Sequence, residues 1–153
     1  MTKLLGSLAL ALGLVAGLAS VSASDERNGQ LHVTKECSQY TGLAGGFCTI
    51  TSSNLAEIKV GTKVYYAQPF GIPAGMLDSN VVLHVGTGDW AVGRCTLDSR
   101  QYPGNYGLCT FSNGVGSLAG FTARVNVSPF ENTPTDVNYY WNGTYSFRPD
   151  PGI

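Results

Sequence analysis

The chain carries little charge, and outside its first residues it has no helical periodicity. Only 12% of its 153 residues are charged, and 9 basic against 10 acidic side chains give a formal net charge of −1. Proteins that bind nucleic acid or anionic membrane surfaces carry an excess of basic residues, so this composition predicts neither partner. The absence of a 3.6-residue apolar period in the body of the chain argues against an α-helical domain.

Motifs for metal and cofactor sites are also missing. The cysteines have no C-x-x-C spacing, and only His32 and His84 are available as histidine ligands, which argues against a zinc site. The segment Gly86–Ala91 matches the dinucleotide pattern G-x-G-x-x-A, but no helix follows it, so we discard the match. No Ser/His/Asp set has a catalytic spacing. We therefore expect no metal and no cofactor.

The first 23 residues are typical of a secretory signal peptide. Lys3 supplies a positive charge, the apolar run Leu4–Leu18 follows, and Val21-Ser22-Ala23 has the small residues that a signal peptidase recognises. A membrane anchor is the alternative, but the run is shorter than the ~20 apolar residues of a span. We expect cleavage after Ala23, one mature domain of residues 24–153 with its core at 31–147, no membrane span after cleavage, and a secreted, extracellular or periplasmic location.

The mature part contains all four cysteines, an even number that fits structural disulfides in an exported protein. Three pairings are open to them. Cys37 with Cys48 and Cys95 with Cys109 is the economical choice, because each bond closes a local loop. A disulfide that closes a loop of this size stabilises the folded state by ~3 kcal/mol, because it lowers the conformational entropy of the unfolded chain. Zinc binding is the rival interpretation.

Alternation of apolar and polar residues predicts an all-β protein. The segment Gly93–Val127 is typical of a hairpin, a glycine-rich corner and a further strand, and Pro69–Ser79 is typical of a loop. Seven to eight short strands imply a sandwich or a barrel, and a single closed antiparallel barrel of about eight strands leaves no exposed edges. The other predicted strands are Leu31–Thr34, Phe47–Thr51, two short strands within Leu55–Gln68, Asn80–Val85 and Val137–Phe147.

The run Asn80–Phe147 resembles the allene oxide cyclase and dirigent-like barrel superfamily. A strand at Val81–Val85 precedes a glycine break and a hairpin, Gly114–Phe121 matches the G-x-G-x-[hydrophobic]-x-G turn, and Tyr139–Phe147 is a closing aromatic strand. The likeness is nearest to small secreted bacterial members. The resemblance implies an eight-stranded antiparallel barrel whose interior holds an apolar ligand. Members of this superfamily include cyclases and dirigent proteins.

Four residues are candidates for the polar groups that would orient such a ligand: Tyr66, His84, Asp89 and Arg94. His84 is a candidate proton donor if its face lines the lumen, and otherwise an outward histidine on a wet face. Asp89 is a weaker catalytic candidate, and its Gly-flanked position also fits a turn former. Arg94 lies opposite the apolar residues of its strand, and Tyr66 shares the face of Val64.

Three functions fit these observations. The first is a secreted, disulfide-stapled barrel that binds a small apolar or aromatic molecule without covalent chemistry. The second is an isomerase, cyclase or dirigent-type enzyme that uses the same cavity, for which positioning of a flexible substrate would supply most of the catalysis. The third is a structural or interaction module with a filled barrel. The sequence leaves open whether the protein is an enzyme.

Overall fold

The structure is a computed structural model that describes residues 26–101, 107–129 and 137–149. Within these residues the chain forms eight strands, two short 3₁₀ turns and no α-helix, so no helix of the described part is long and apolar enough to cross a membrane. The predicted signal peptide lies outside the described residues. The strands are β1 (Arg27–Glu36), β2 (Phe47–Ser53), β3 (Lys63–Tyr66), β4 (Met76–Gly86), β5 (Asp89–Asp98), β6 (Gly107–Val115), β7 (Phe121–Pro129) and β8 (Asn138–Phe147).

The eight strands close into one antiparallel barrel, as the sequence predicted. Each strand pairs with its neighbour in the chain, and β1 pairs with β8 to close the ring. Successive residues of a strand point to opposite faces, and the apolar member of each alternating pair lies inside. The middle of the barrel is filled by buried side chains, among them Leu31, Val33, Ile50, Leu83, Phe111, Phe121, Val125 and Trp141.

Two strands begin earlier in the sequence than we predicted. We predicted that the first strand begins at Leu31, but Arg27–Gln30 also belongs to β1, because these residues pair with Thr144–Phe147 of β8. We expected the loop Pro69–Ser79 to run up to Asn80, but β4 begins at Met76, which pairs with Asp98 of β5. The extension of β1 depends on β8, at the other end of the described chain, whereas that of β4 depends on the far end of its hairpin with β5.

One predicted strand was wrong. The alternation of Ile58 and Val60 with Glu57 and Lys59 indicated a strand, but this segment is a turn in which the Ile58 amide donates to the Leu55 carbonyl at 3.1 Å. Ile58 is still buried in the core. Val60, by contrast, is 70% exposed, so the alternation of these two residues did not reflect a pleated face with one buried side.

The two ends of the barrel carry different connections. We call the upper end the one with the β1–β2, β3–β4, β5–β6 and β7–β8 connections, of which residues 37–46 and 67–75 are fully described. The lower end has the tight β4–β5 turn and the glycine corner between β6 and β7. At this corner Gly116 has φ +63°, and a Cβ there would lie 1.9 Å from Asp89 Oδ1. Glycine is therefore required for the close contact.

Both predicted disulfides are present, which rules out zinc binding by these cysteines. Cys95 and Cys109 lie directly opposite each other on β5 and β6 inside the barrel, with a Cα–Cα distance of 4.1 Å. Cys37 and Cys48 join the connection after β1 to the start of β2 at the upper end. The covalent links therefore stabilise neighbouring strand pairs at two places in the ring.

We expect the double substitution Cys95→Ala/Cys109→Ala to lower the free energy of unfolding by ~3 kcal/mol, because the unfolded chain loses the loop constraint. Thermal unfolding followed by circular dichroism would measure a decrease in Tm of roughly 10 °C. Ser112→Ala, at an exposed position of β6, is the matched control and should leave the transition in place. An unchanged Tm in the double variant would contradict a stabilising role of the Cys95–Cys109 disulfide.

Candidate functional site

A lysine lies inside the barrel near its upper end. On β1 the residues Leu31, Val33 and Lys35 alternate onto the inner face, and Lys35 is only 2% exposed. The register between β1 and β2 shifts beside it, since Thr34 pairs with Ser52 whereas Lys35 pairs with Ile50. Such irregularities bend a strand locally and are common next to binding sites.

Aromatic rings enclose the amino group of this lysine. Lys35 Nζ lies 4.8 Å from the ring centroid of Trp141, 5.2 Å from that of Tyr66 and 5.6 Å from that of Tyr139. We call these three residues the aromatic cage. Lys35 Nζ also donates a hydrogen bond of 2.5 Å to Tyr66 Oη, and the ring of Tyr40 packs on Tyr66 at 5.0 Å.

The cage does not supply a counter-charge. The ion pairs of the described residues involve the side chains of Arg27, Arg94 and Arg100, and none of them involves Lys35. Burial therefore lowers the pKa of Lys35 from 10.5 to about 7. The rings of Trp141 and Tyr139 attract the charged ammonium form and limit this decrease in pKa.

Burial has the opposite effect on the phenols around the lysine. Desolvation raises the pKa of Tyr66, and Tyr40 and Tyr139 raise it further. Burial also raises the pKa of Tyr40, whose buried hydroxyl has no hydrogen-bond partner among the described residues. Tyr66 is therefore a neutral phenol whose proton can be shared with Lys35 Nζ when the lysine is an amine.

One polar group of the aromatic cage, the indole N–H of Trp141, lacks a hydrogen-bond acceptor. Trp141 is 1% exposed, and its Nε1 atom has no hydrogen-bond acceptor among residues 26–101, 107–129 and 137–149. A buried donor without an acceptor destabilises the fold by about 1–3 kcal/mol. The upper end of the barrel therefore combines an apolar wall with donors at Lys35 and Trp141 that could bind an acceptor atom of a ligand.

The structure separates the four residues that the sequence singled out. Tyr66 lies inside the barrel, in contact with Lys35. His84 lies on the outer face, where its ring is edge-on to Tyr65 at 6.3 Å. Arg94 is also outside and pairs with Asp78 at 2.7 Å. His84 therefore does not line the lumen.

Asp89 has a structural contact at the lower end. Its Oδ1 atom accepts a hydrogen bond of 2.8 Å from the backbone N–H of Ser117, which ties the start of β5 to the glycine corner. This contact is distant from the cage, because the two lie at opposite ends of the barrel.

A groove of about 680 Å³ crosses the outer face of β3, β4, β5 and β6. Tyr65, Val82, Val92 and Arg94 are among the side chains at its wall. Tyr66 borders the groove, but its side chain is buried on the other side of the sheet. In the part of the chain that the structure describes, no group of three or more His, Cys, Asp or Glu side chains could hold a metal ion.

Neither a scan against protein-family models nor searches of curated proteins and of solved structures found a match to this chain. The barrel is established by its strand pairing alone. The resemblance to the allene oxide cyclase and dirigent-like superfamily stays a prediction.

Lys35 was not among the predicted site residues, although the sequence contains a signal for it. We predicted a strand that ended at Thr34, one residue before the lysine, whereas β1 continues to Glu36. The inward alternation of Leu31 and Val33 would have placed Lys35 inside had the strand been continued. A charged residue at an inward position of a strand is unusual enough to indicate a site.

We expect the stability of the protein to increase with pH because of Lys35. The folded protein binds fewer protons than the unfolded chain between the folded pKa of about 7 and the unfolded value of 10.5, so the penalty for burying the ammonium decreases as pH rises. Between about pH 7 and about pH 9 the free energy of unfolding should rise by roughly 2 kcal/mol. Urea unfolding at several pH values would measure this rise.

The matched variants are Lys35→Met and Lys63→Met. Lys63 Nζ lies 4.4 Å from the ring centroid of Phe47 on the outer face, so its substitution should keep the wild-type pH dependence. Lys35→Met should remove the dependence and make the protein more stable at neutral pH, because no charged group is then buried. The same pH slope in wild type and Lys35→Met would show that Lys35 remains charged.

Proposed function

We propose that this protein binds a small apolar or aromatic molecule inside the upper end of its barrel, with Lys35 and Tyr66 contacting the polar group of that molecule. The observation that carries the proposal is a buried lysine whose described neighbours are aromatic rings and a phenol, with no acidic partner among them. Such a group reduces the stability of the empty protein. An acceptor atom on a ligand would offset this loss.

The chemistry of the cage limits the class of ligand. Its walls are aromatic rings, which pack well against planar or apolar molecules, and its polar atoms include Lys35 Nζ and Tyr66 Oη, which contact each other, and the unpaired Nε1 of Trp141. Small-molecule sites typically combine an apolar wall with a few convergent polar groups. A carboxylate, phenolate or carbonyl oxygen at one end of an apolar body fits this arrangement.

We also propose that the protein is exported and belongs to the allene oxide cyclase and dirigent-like superfamily. The predicted signal peptide at residues 1–23 supports export, and so do the two disulfides, since such bonds form in oxidising compartments. The eight-stranded antiparallel barrel is the fold that the resemblance implies.

A second candidate function is catalysis of an isomerisation or cyclisation. The hydrogen bond between Lys35 and Tyr66 favours it, because an amine and a phenol 2.5 Å apart can take up and return one proton. His84 and Asp89 have no part in this chemistry, since they lie on the outer face and at the lower end. The filled middle of the barrel supports the third candidate, a module that binds nothing inside.

Binding can be tested with four probes: cinnamate, cinnamyl alcohol, decanoate and decanol. We expect cinnamate and decanoate to bind more tightly than the corresponding alcohols and to quench the fluorescence of Trp141, measured in a Trp90→Phe variant because Trp90 is the second tryptophan of the chain. Their affinity should rise as pH falls through about 7, where Lys35 becomes an ammonium. Lys35→Met should weaken the binding of cinnamate by roughly tenfold to a hundredfold, which is the usual contribution of a hydrogen bond to a charged group.

Two outcomes would count against the proposal. If Lys35→Met binds cinnamate as the wild type does, the contact with Lys35 is wrong. If none of the four probes binds, the filled module is the better description. Lys63→Met should leave every affinity unchanged, and loss of binding in Arg94→Ala would instead indicate the outer groove.

A further inference from the structure

We propose that Lys35 forms a covalent imine with a small aromatic or apolar aldehyde or ketone, an inference that rests on the proposed binding at the upper end of the barrel. The geometry points to this reaction because Lys35 Nζ lies 2.5 Å from a phenol and is enclosed by three aromatic rings. Imine formation needs an amine nucleophile, a proton donor beside it and protection of the product from water.

The first requirement is an uncharged amine at neutral pH. An ordinary lysine is almost entirely an ammonium ion there and does not attack a carbonyl group. At Lys35, burial lowers the pKa to about 7, so a large fraction of the molecules carry the free amine. Lysines in apolar pockets are activated as nucleophiles in this way.

The second requirement is a proton donor that returns to its starting state. The nitrogen lone pair of Lys35 attacks the carbonyl carbon, the carbon–oxygen π bond breaks toward oxygen, and a carbinolamine forms. Tyr66 gives its phenolic proton to the departing hydroxyl group and receives one from the nitrogen. The amine and the carbonyl compound thus become an imine and one water, and Tyr66 is unchanged.

The third requirement is protection of the adduct. The cage covers Nζ on several sides, and Lys35 is only 2% exposed, so water has little access to the new carbon–nitrogen bond. When the imine is protonated, the rings of Trp141 and Tyr139 stabilise its positive charge, and Tyr66 Oη accepts a hydrogen bond from it. Aromatic walls favour a conjugated aldehyde over a polar carbonyl compound such as a sugar.

The test uses the wild-type protein with cinnamaldehyde and sodium cyanoborohydride at about pH 7, followed by peptide mass mapping of each lysine. Lys59 and Lys63, which lie on the outside of the protein, are internal controls. We expect the reduced cinnamyl adduct to form at least roughly tenfold faster on Lys35 than on the other two, because an ordinary lysine at about pH 7 has about a thousandth of the amine fraction of Lys35, and burial offsets only part of this difference. Tyr66→Phe should slow labelling at Lys35 and leave the labelling of Lys59 and Lys63 unchanged.

The outcomes separate this inference from the proposed function. In one outcome, cinnamyl alcohol or cinnamate quenches the fluorescence of Trp141 while cinnamaldehyde labels Lys35 no faster than Lys59 and Lys63. This result would overturn imine formation and leave the proposed non-covalent binding in place. If neither quenching nor labelling occurs, both proposals are overturned. Selective labelling of Lys35 that slows in Tyr66→Phe, together with quenching by the cinnamyl probes, supports both.

Discussion

The pairing of β1 with β8 is the interaction on which the structure depends. It runs along all ten residues of both strands, from Arg27 opposite Phe147 to Glu36 opposite Asn138, and it joins the first strand of the chain to the last. Closing the ring removes both free edges and gives every strand one inner face. The same ladder places Lys35 opposite Tyr139 and Val33 opposite Trp141, so the closure of the fold also assembles the cage.

Local features of the fold could be predicted from the sequence, and distant ones could not. The β5–β6 hairpin was predicted because Cys95 and Cys109 each lie in a short alternating segment. The first residues of β1 were missed because Arg27–Gln30 is polar and becomes a strand only through β8. Lys35 was missed because the predicted strand ended at Thr34, although the inward alternation of Leu31 and Val33 extends to it. Tyr66 was identified, but its partner was not.

The site and the core have opposite requirements at the upper end of the barrel. Leu31 and Val33 stabilise the fold by leaving water, whereas Lys35 on the same face weakens it while its amino group stays charged. Functional residues often carry such a penalty, and the remaining structure compensates for it. Here the compensation comes from the filled middle of the barrel and from two disulfides.

The position of the Cys95–Cys109 bond has a consequence for its chemistry. Both residues are fully buried on the inner face, where they form a rung between β5 and β6. A thiolate must reach a sulfur atom in order to exchange with it, and the closed wall prevents this approach. Reduction therefore requires β5 and β6 to separate first, so the rate of thiol exchange would report how often the barrel opens locally between these two strands.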